Sequence, residues 1–111
     1  MPKASKNELL PGTLEMLILQ TLTHRPLHGY AIARQIQQIS DDVLQVEEGS
    51  LYPALQRLLV KGWVKAEWGT STKNRRVRHY TLTSAGRKQL GIEAENFKRM
   101  IQAIARIMQT S

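Results

Sequence analysis

The sequence predicts a mostly α-helical fold carrying one two-stranded β-hairpin. Three observations lead there. Apolar residues recur at three- and four-residue spacing before residue 62 and again after residue 84. Between those stretches the pattern changes to two short runs rich in aromatic and β-branched residues. A proline, a glycine or an acidic pair stands at the breaks between the first segments, where a helix would have to stop. A chain of 111 residues holds one domain with one modest core.

Residues 1–12 are polar and small and read as a flexible arm, without the apolar stretch of a signal peptide. Thr13 is expected to cap a first helix that runs to about Thr23. Leu14, Met16, Leu17, Ile18, Leu19 and Leu22 make that helix apolar on more than one face, so it should be deeply buried. Arg25-Pro26 stops it, because the residue before proline avoids helical angles. A second helix is expected to open at Leu27-His28-Gly29-Tyr30 and run to about Ser40, with Ile32, Ile36 and Ile39 as its buried stripe. Asp41-Asp42 breaks the pattern.

A third helix is expected from near Ser50 to Gly62, where glycine supplies the left-handed C-terminal angles. Pro53 would sit in its first turn, and Leu51, Leu55, Leu58 and Leu59 would face inward. Residues 63–68 and 77–83 read as two strands, with Tyr80 and Leu82 on the inner face. The polar, basic segment between them reads as the hairpin loop. Thr83 or Ser84 caps a last helix reaching about Met108. Residues 13–84 thus follow the plan of a winged helix-turn-helix, and residues 85–111 form one long helix.

Charge narrows the function. Sixteen Lys and Arg stand against nine Asp and Glu, a net charge of +7, which favours a polyanionic partner. With no cysteine, a disulfide scaffold and a thiolate metal site are excluded. No apolar run reaches the length of a membrane span, so a cytoplasmic protein without a membrane partner is expected. On the third helix, Ser50, Pro53, Gln56 and Arg57 point away from the leucine stripe, with Tyr52 on the shoulder. Gln and Arg carry donor sets that match base edges in a DNA major groove. In and beside the hairpin loop, Lys73, Arg75, Arg76 and Arg78 lie close together with no acid among them, as a phosphate-binding wing would require. Asp41, Asp42, Glu47 and Glu48 cluster just before the third helix. They would repel phosphate if they faced it and would stabilise the helix N-terminus if they did not.

No catalytic constellation is present, and no enzyme, cofactor or metal site is expected. His24 and His28 are four apart, but Pro26 between them prevents a shared helical face. Two rival readings stay open: a winged-helix module that binds protein through the same basic face, and a small-molecule-binding dimer.

The chain resembles the PadR family of transcription regulators. The resemblance is carried by Gly12-Thr13-Leu14, His28-Gly29-Tyr30, Gly49-Ser50-Leu51-Tyr52-Pro53-Ala54-Leu55 and Tyr80-Thr81-Leu82-Thr83 with Gly86, in order and at family spacing. It implies a dimeric repressor of a palindromic operator, with the third helix in the major groove and the hairpin beside it. It also implies that Tyr30, Ser50 and Tyr52 lie near the DNA backbone. The single helix after the wing is similar to the compact branch of the family, where in some members tryptophans on that helix line a drug cavity. Here Trp63 and Trp68 fall on the hairpin and the last helix has none. The resemblance does not say whether a small-molecule effector exists.

Leu90, Ala94, Phe97, Ile101, Ile104 and Met108 follow four-three-four-three-four spacing, the seam of a coiled coil. Self-association through this helix into a homodimer is therefore expected. Mixed charges on its other face argue against a membrane-surface helix.

Overall fold

The structure is a computed structural model and describes residues 11–110. The elements in chain order are α1 (Pro11–Thr21), β1 (Leu27–His28), α2 (Gly29–Ile39), α3 (Glu48–Val60), β2 (Val64–Thr70), β3 (Arg76–Leu82) and α4 (Ser84–Gln109). This is a winged helix-turn-helix followed by a long helix, as expected, with one strand more. Most of the arm lies outside the described residues, but its limit at residue 12 moves. Pro11 and Gly12 are already helical, and Thr13 lies within α1 rather than capping it. At the other end the Thr21 and Thr23 hydroxyls donate to the carbonyls of Ile18 and Gln20 at 2.7 and 2.9 Å, closing the helix at Thr21.

α1 packs against α2, α3 and α4 at once, which is why its apolar residues surround it. Its Ile18 and Leu19 join Ile32 of α2 and Leu51, Leu55 and Leu58 of α3 as the fully buried side chains at the centre of the core. Each such side chain contributes about 1.5–3 kcal/mol by leaving water.

The stretch at Leu27-His28, the exposure of Ile39 and the start of α3 also differ from the sequence reading. Leu27 and His28 form a strand instead of the first turn of α2. Leu27 pairs with Tyr80 and His28 with His79 along the free edge of β3. His28 keeps extended angles, and its Nδ1 accepts a hydrogen bond from the Ala31 N–H at 3.3 Å, so it caps the helix it was expected to belong to. Ile39, expected in the buried stripe, is 79% exposed. α2 ends there, and Asp41 and Asp42 both take positive φ (56° and 66°), turning the chain away before a further apolar turn can dock. α3 begins at Glu48, so Pro53 falls in its second turn. The carbonyl left without that N–H is Gly49's, and Gly49 is exposed to water.

The end of α3 agrees with expectation. Gly62 has φ +75°. The Gly62 N–H reaches the Leu59 carbonyl at 3.1 Å and the Trp63 N–H reaches the Leu58 carbonyl at 3.0 Å, the paired bonds of a Schellman cap. The turn delivers the chain into an antiparallel sheet of order β1-β3-β2. The ladder from Val64 opposite Leu82 to Thr70 opposite Arg76 makes the wing.

Thr83 joins the wing to α4. Its Oγ1 accepts from the Gly86 N–H at 3.0 Å and donates to the Gly62 carbonyl at 2.8 Å. Gly86 is fitted against the Trp63 carbonyl so closely that a Cβ there would lie 2.0 Å from its oxygen. Leu90 is buried in the chain's own core and Phe97 packs against it. From Lys98 to Thr110 every residue is exposed, and the molecule measures 56 × 39 × 21 Å.

Candidate nucleic-acid interface

Strand alternation organises the wing. Val64, Ala66 and Trp68 of β2 share a face with Tyr80, Arg78 and Arg76 of β3, their cross-strand partners being Leu82, Tyr80 and Arg78. Near α4 this face is core: Val64 and Tyr80 are buried. Farther out it leaves the core and continues as Trp68, Arg76 and Arg78. The Arg76 guanidinium lies 4.7 Å from the Trp68 ring centroid and that of Arg78 lies 5.9 Å from it. Both distances are within cation–π range, so the indole holds two cations on one wall. Glu67 falls on the opposite face, away from them. At the tip, the Ser71 N–H donates to the Arg75 carbonyl at 2.7 Å and the Asn74 N–H to the Ser71 carbonyl at 2.9 Å. Asn74 takes φ +60°, which asparagine tolerates better than most residues.

This wall faces the start of α2 and the flank of α3. Between them runs an open groove of about 760 Å³ lined by Tyr30, Arg34, Gln35 and Gln38 from α2, Tyr52 from α3, and Trp68, Lys73, Arg75, Arg76 and Arg78 from the wing, among others. Among the described residues, five cations line it and no acid does. Tyr30 is 61% exposed; its ring stacks parallel to His28 at 6.4 Å and lies 5.7 Å below the Arg34 guanidinium. Burial, then the negative charge of Glu48 and the neighbouring Tyr80, hold the Tyr52 phenol above its usual pKa. A phenol is protonated at neutral pH even without that shift, so Tyr52 is a donor. Gly29 makes room for this ring, since a Cβ on it would come within 3.0 Å of Tyr52.

Of the DNA-contact residues expected from sequence, Tyr30, Tyr52, Lys73, Arg75, Arg76 and Arg78 are brought together in this groove. Ser50, Pro53 and Gln56 lie outside it, exposed on α3. Arg57 is engaged elsewhere. Its Nε donates to Oε2 of Glu15 on α1 at 2.6 Å, while its side chain stays 41% exposed. The sequence reading missed Arg34, Gln35, Gln38 and Trp68. Arg34 lies four residues beyond Tyr30 on one face of α2, a spacing that was available as a signal. The acidic cluster lies outside the groove: Glu48 stands in the first turn of α3, where its charge suits the helix N-terminus, and Asp42 accepts from Gln37 Nε2 at 3.1 Å.

On α4, Ala94, Ile101, Ile104 and Met108 are exposed, as are Met100 and Ile107 beside them. Leu90, expected in the seam, is 7% exposed and already serves the core.

Comparison with known proteins gives the same reading. Residues 18–92 match the transcriptional regulator PadR-like family. An uncharacterised 37.1 kDa protein of transposon TN4556 from Streptomyces fradiae is 41% identical over 86 residues, which are 78% of this chain and 23% of that protein. A transcriptional regulator from Clostridium thermocellum superposes with TM-score 0.78 at 28% identity, covering 86% of this chain and 92% of the other. A PadR-like transcription factor from Bacteroides fragilis does so with TM-score 0.71 at 30% identity, covering 87% and 91%. With its winged helix-turn-helix and the family match over most of its length, the chain belongs to the PadR-like family of transcriptional regulators, which are DNA-binding proteins.

Proposed function

We propose that this regulator is a cytoplasmic repressor that binds a palindromic operator as a homodimer. The observation that carries the reading is the groove joining α2, α3 and the wing, which five cations and no acid line among the described residues. A DNA strand laid in it meets cations from two elements, and the phenols of Tyr30 and Tyr52 supply neutral donors to phosphate. α3 then lies along the adjacent major groove, with Ser50, Pro53 and Gln56 on its exposed side. Gln56 has the amide that matches an adenine edge. Two copies joined through α4 present two such helices, and a palindrome matches that two-fold symmetry. Blocking a promoter requires no further chemistry, which is the basis for assigning repression.

Selecting bound duplexes from a random pool tests this. Enrichment of an inverted repeat, with half-sites about one helical turn apart, is the expected result. Binding that shows neither sequence preference nor a steep salt dependence would overturn it.

A further inference from the structure

Glu15 is a buried acid in a basic protein, and no contact with DNA requires it. Its residue is 7% exposed. It lies on α1, among the helices of the core, yet both its oxygens are bound by cations, one from α3 and one from the residue that caps it. Arg57 Nε donates to Oε2 at 2.6 Å, and Lys61 Nζ donates to Oε1 at 3.1 Å. Arg57 and the C-cap residue Lys61 are four apart, and Lys61 keeps right-handed helical angles, so the two lie on one side at the end of α3. Their side chains are 41% and 44% exposed, against 9% for Glu15. The acid is thus fixed in the core and the two cations reach it from the surface. Lys61 is also 4.7 Å from the Trp63 ring, which places it from a second side.

We infer that Glu15 is a specificity-determining residue: it clamps the recognition helix to α1 and withholds Arg57 and Lys61 from the DNA backbone. The inference rests on the proposed DNA-binding reading. Two consequences follow from the geometry. The rotation of α3 about its axis is set by a bidentate contact to a rigid helix, so Gln56, next to Arg57, is aimed rather than free. And the carboxylate cancels one of the two positive charges and tethers both side chains, which keeps sequence-independent phosphate binding low.

The test is Glu15→Gln, with Glu15→Met as a second variant that fills the same space without a polar group. Affinity for the selected operator and for a random duplex is measured across a salt series, with the folded fraction and melting midpoint followed by circular dichroism. The expected result is a fall of about tenfold in the ratio of operator to random-duplex affinity, the size of one spoiled base pair. The random-duplex salt slope is expected to steepen by about 0.9 for each released cation that reaches a phosphate. A lowered melting midpoint with the parental ratio and slope in either folded variant would overturn the inference, because a merely structural clamp predicts that outcome. So would an unchanged ratio in Glu15→Gln alone, since a base-reading Arg57 predicts it. Absence of salt-dependent duplex binding by the parental protein is a different failure and removes the DNA-binding reading itself.

Discussion

Single residues in this protein act through what their neighbours leave them free to do. Gln56 and Arg57 are adjacent on α3, and both carry planar donors. Arg57 is bound by Glu15, whereas Gln56 is exposed. Base discrimination is therefore expected to follow Gln56: Gln56→Ala should relax preference at one position per half-site by roughly 1–3 kcal/mol. Competition binding with single-base operator variants measures this, and an unchanged preference would place readout in the wing or in DNA shape. Gly86 shows the same dependence on neighbours in the fold. A methyl group there would meet the Trp63 carbonyl oxygen at 2.0 Å, and backbone cannot swing aside as a side-chain tip can. Gly86→Ala should lift the start of α4 off the wing junction, strain the Thr83 bonds and cost about 2 kcal/mol. The melting midpoint would fall by roughly ten degrees. A midpoint within a degree or two of the parent would show that α4 does not dock here as described.

Among the elements, the wing carries two jobs on one face. Alternation puts Val64 and Tyr80 into the core and, farther out on the same face, Trp68, Arg76 and Arg78 along the groove. β1 supports this arrangement by pairing with β3, so the β3 edge that would otherwise be open is covered where Tyr80 enters the core. Phosphate contacts hold no sequence information, so Arg75→Ala with Arg76→Ala is expected to weaken operator and random-duplex binding alike. The slope of log affinity against log salt should become shallower by about 0.9 for each phosphate that is no longer neutralised. If the slope is unchanged, the wing does not touch the backbone. α2 contributes through its N-terminus, where the His28 cap sets the orientation of Tyr30 and places Arg34 one turn on.

For the whole molecule, the decisive feature is that α4 outruns its own core. A helix of 26 residues is about 39 Å long, and from Lys98 onward it is exposed. Ile101, Ile104, Ile107 and Met108 are 45%, 46%, 68% and 76% exposed, an apolar stripe that water disfavours. Pairing with a second copy would remove it from water at about 25 cal/mol per Å² of apolar surface. Replacing Phe97 and Ile101 together with Glu is expected to convert a dimer to a monomer by light scattering and to weaken operator binding in a gel-shift assay. Phe97 also packs on the domain, so Ile101→Glu with Ile104→Glu, both exposed, separates dimer loss from unfolding. A double variant of exposed residues that stays dimeric and binds normally would exclude α4 as the interface.

The sequence by itself determined the order of the four helices and the hairpin, the helix periods, the Gly62 stop and a cap at Thr83 or Ser84, because each rests on interactions within a few residues. It also marked the basic wing, since an acid-free run of cations is visible without a fold. Only the tertiary structure decided the rest. Leu27 and His28 became a strand because β3, about fifty residues later, offered an edge. Ile39 stayed in water because the chain turned before another layer could cover it. Leu90 is buried in the chain's own core, where α4 packs on α1. Arg57 was drawn to Glu15 across a separation of 42 residues, and Arg34 and Trp68 joined the wing cations only when α2 and the hairpin met across the groove. Periodicity reports which face of an element is apolar. What that face, or the polar one, meets depends on residues distant in sequence, and no local pattern encodes it.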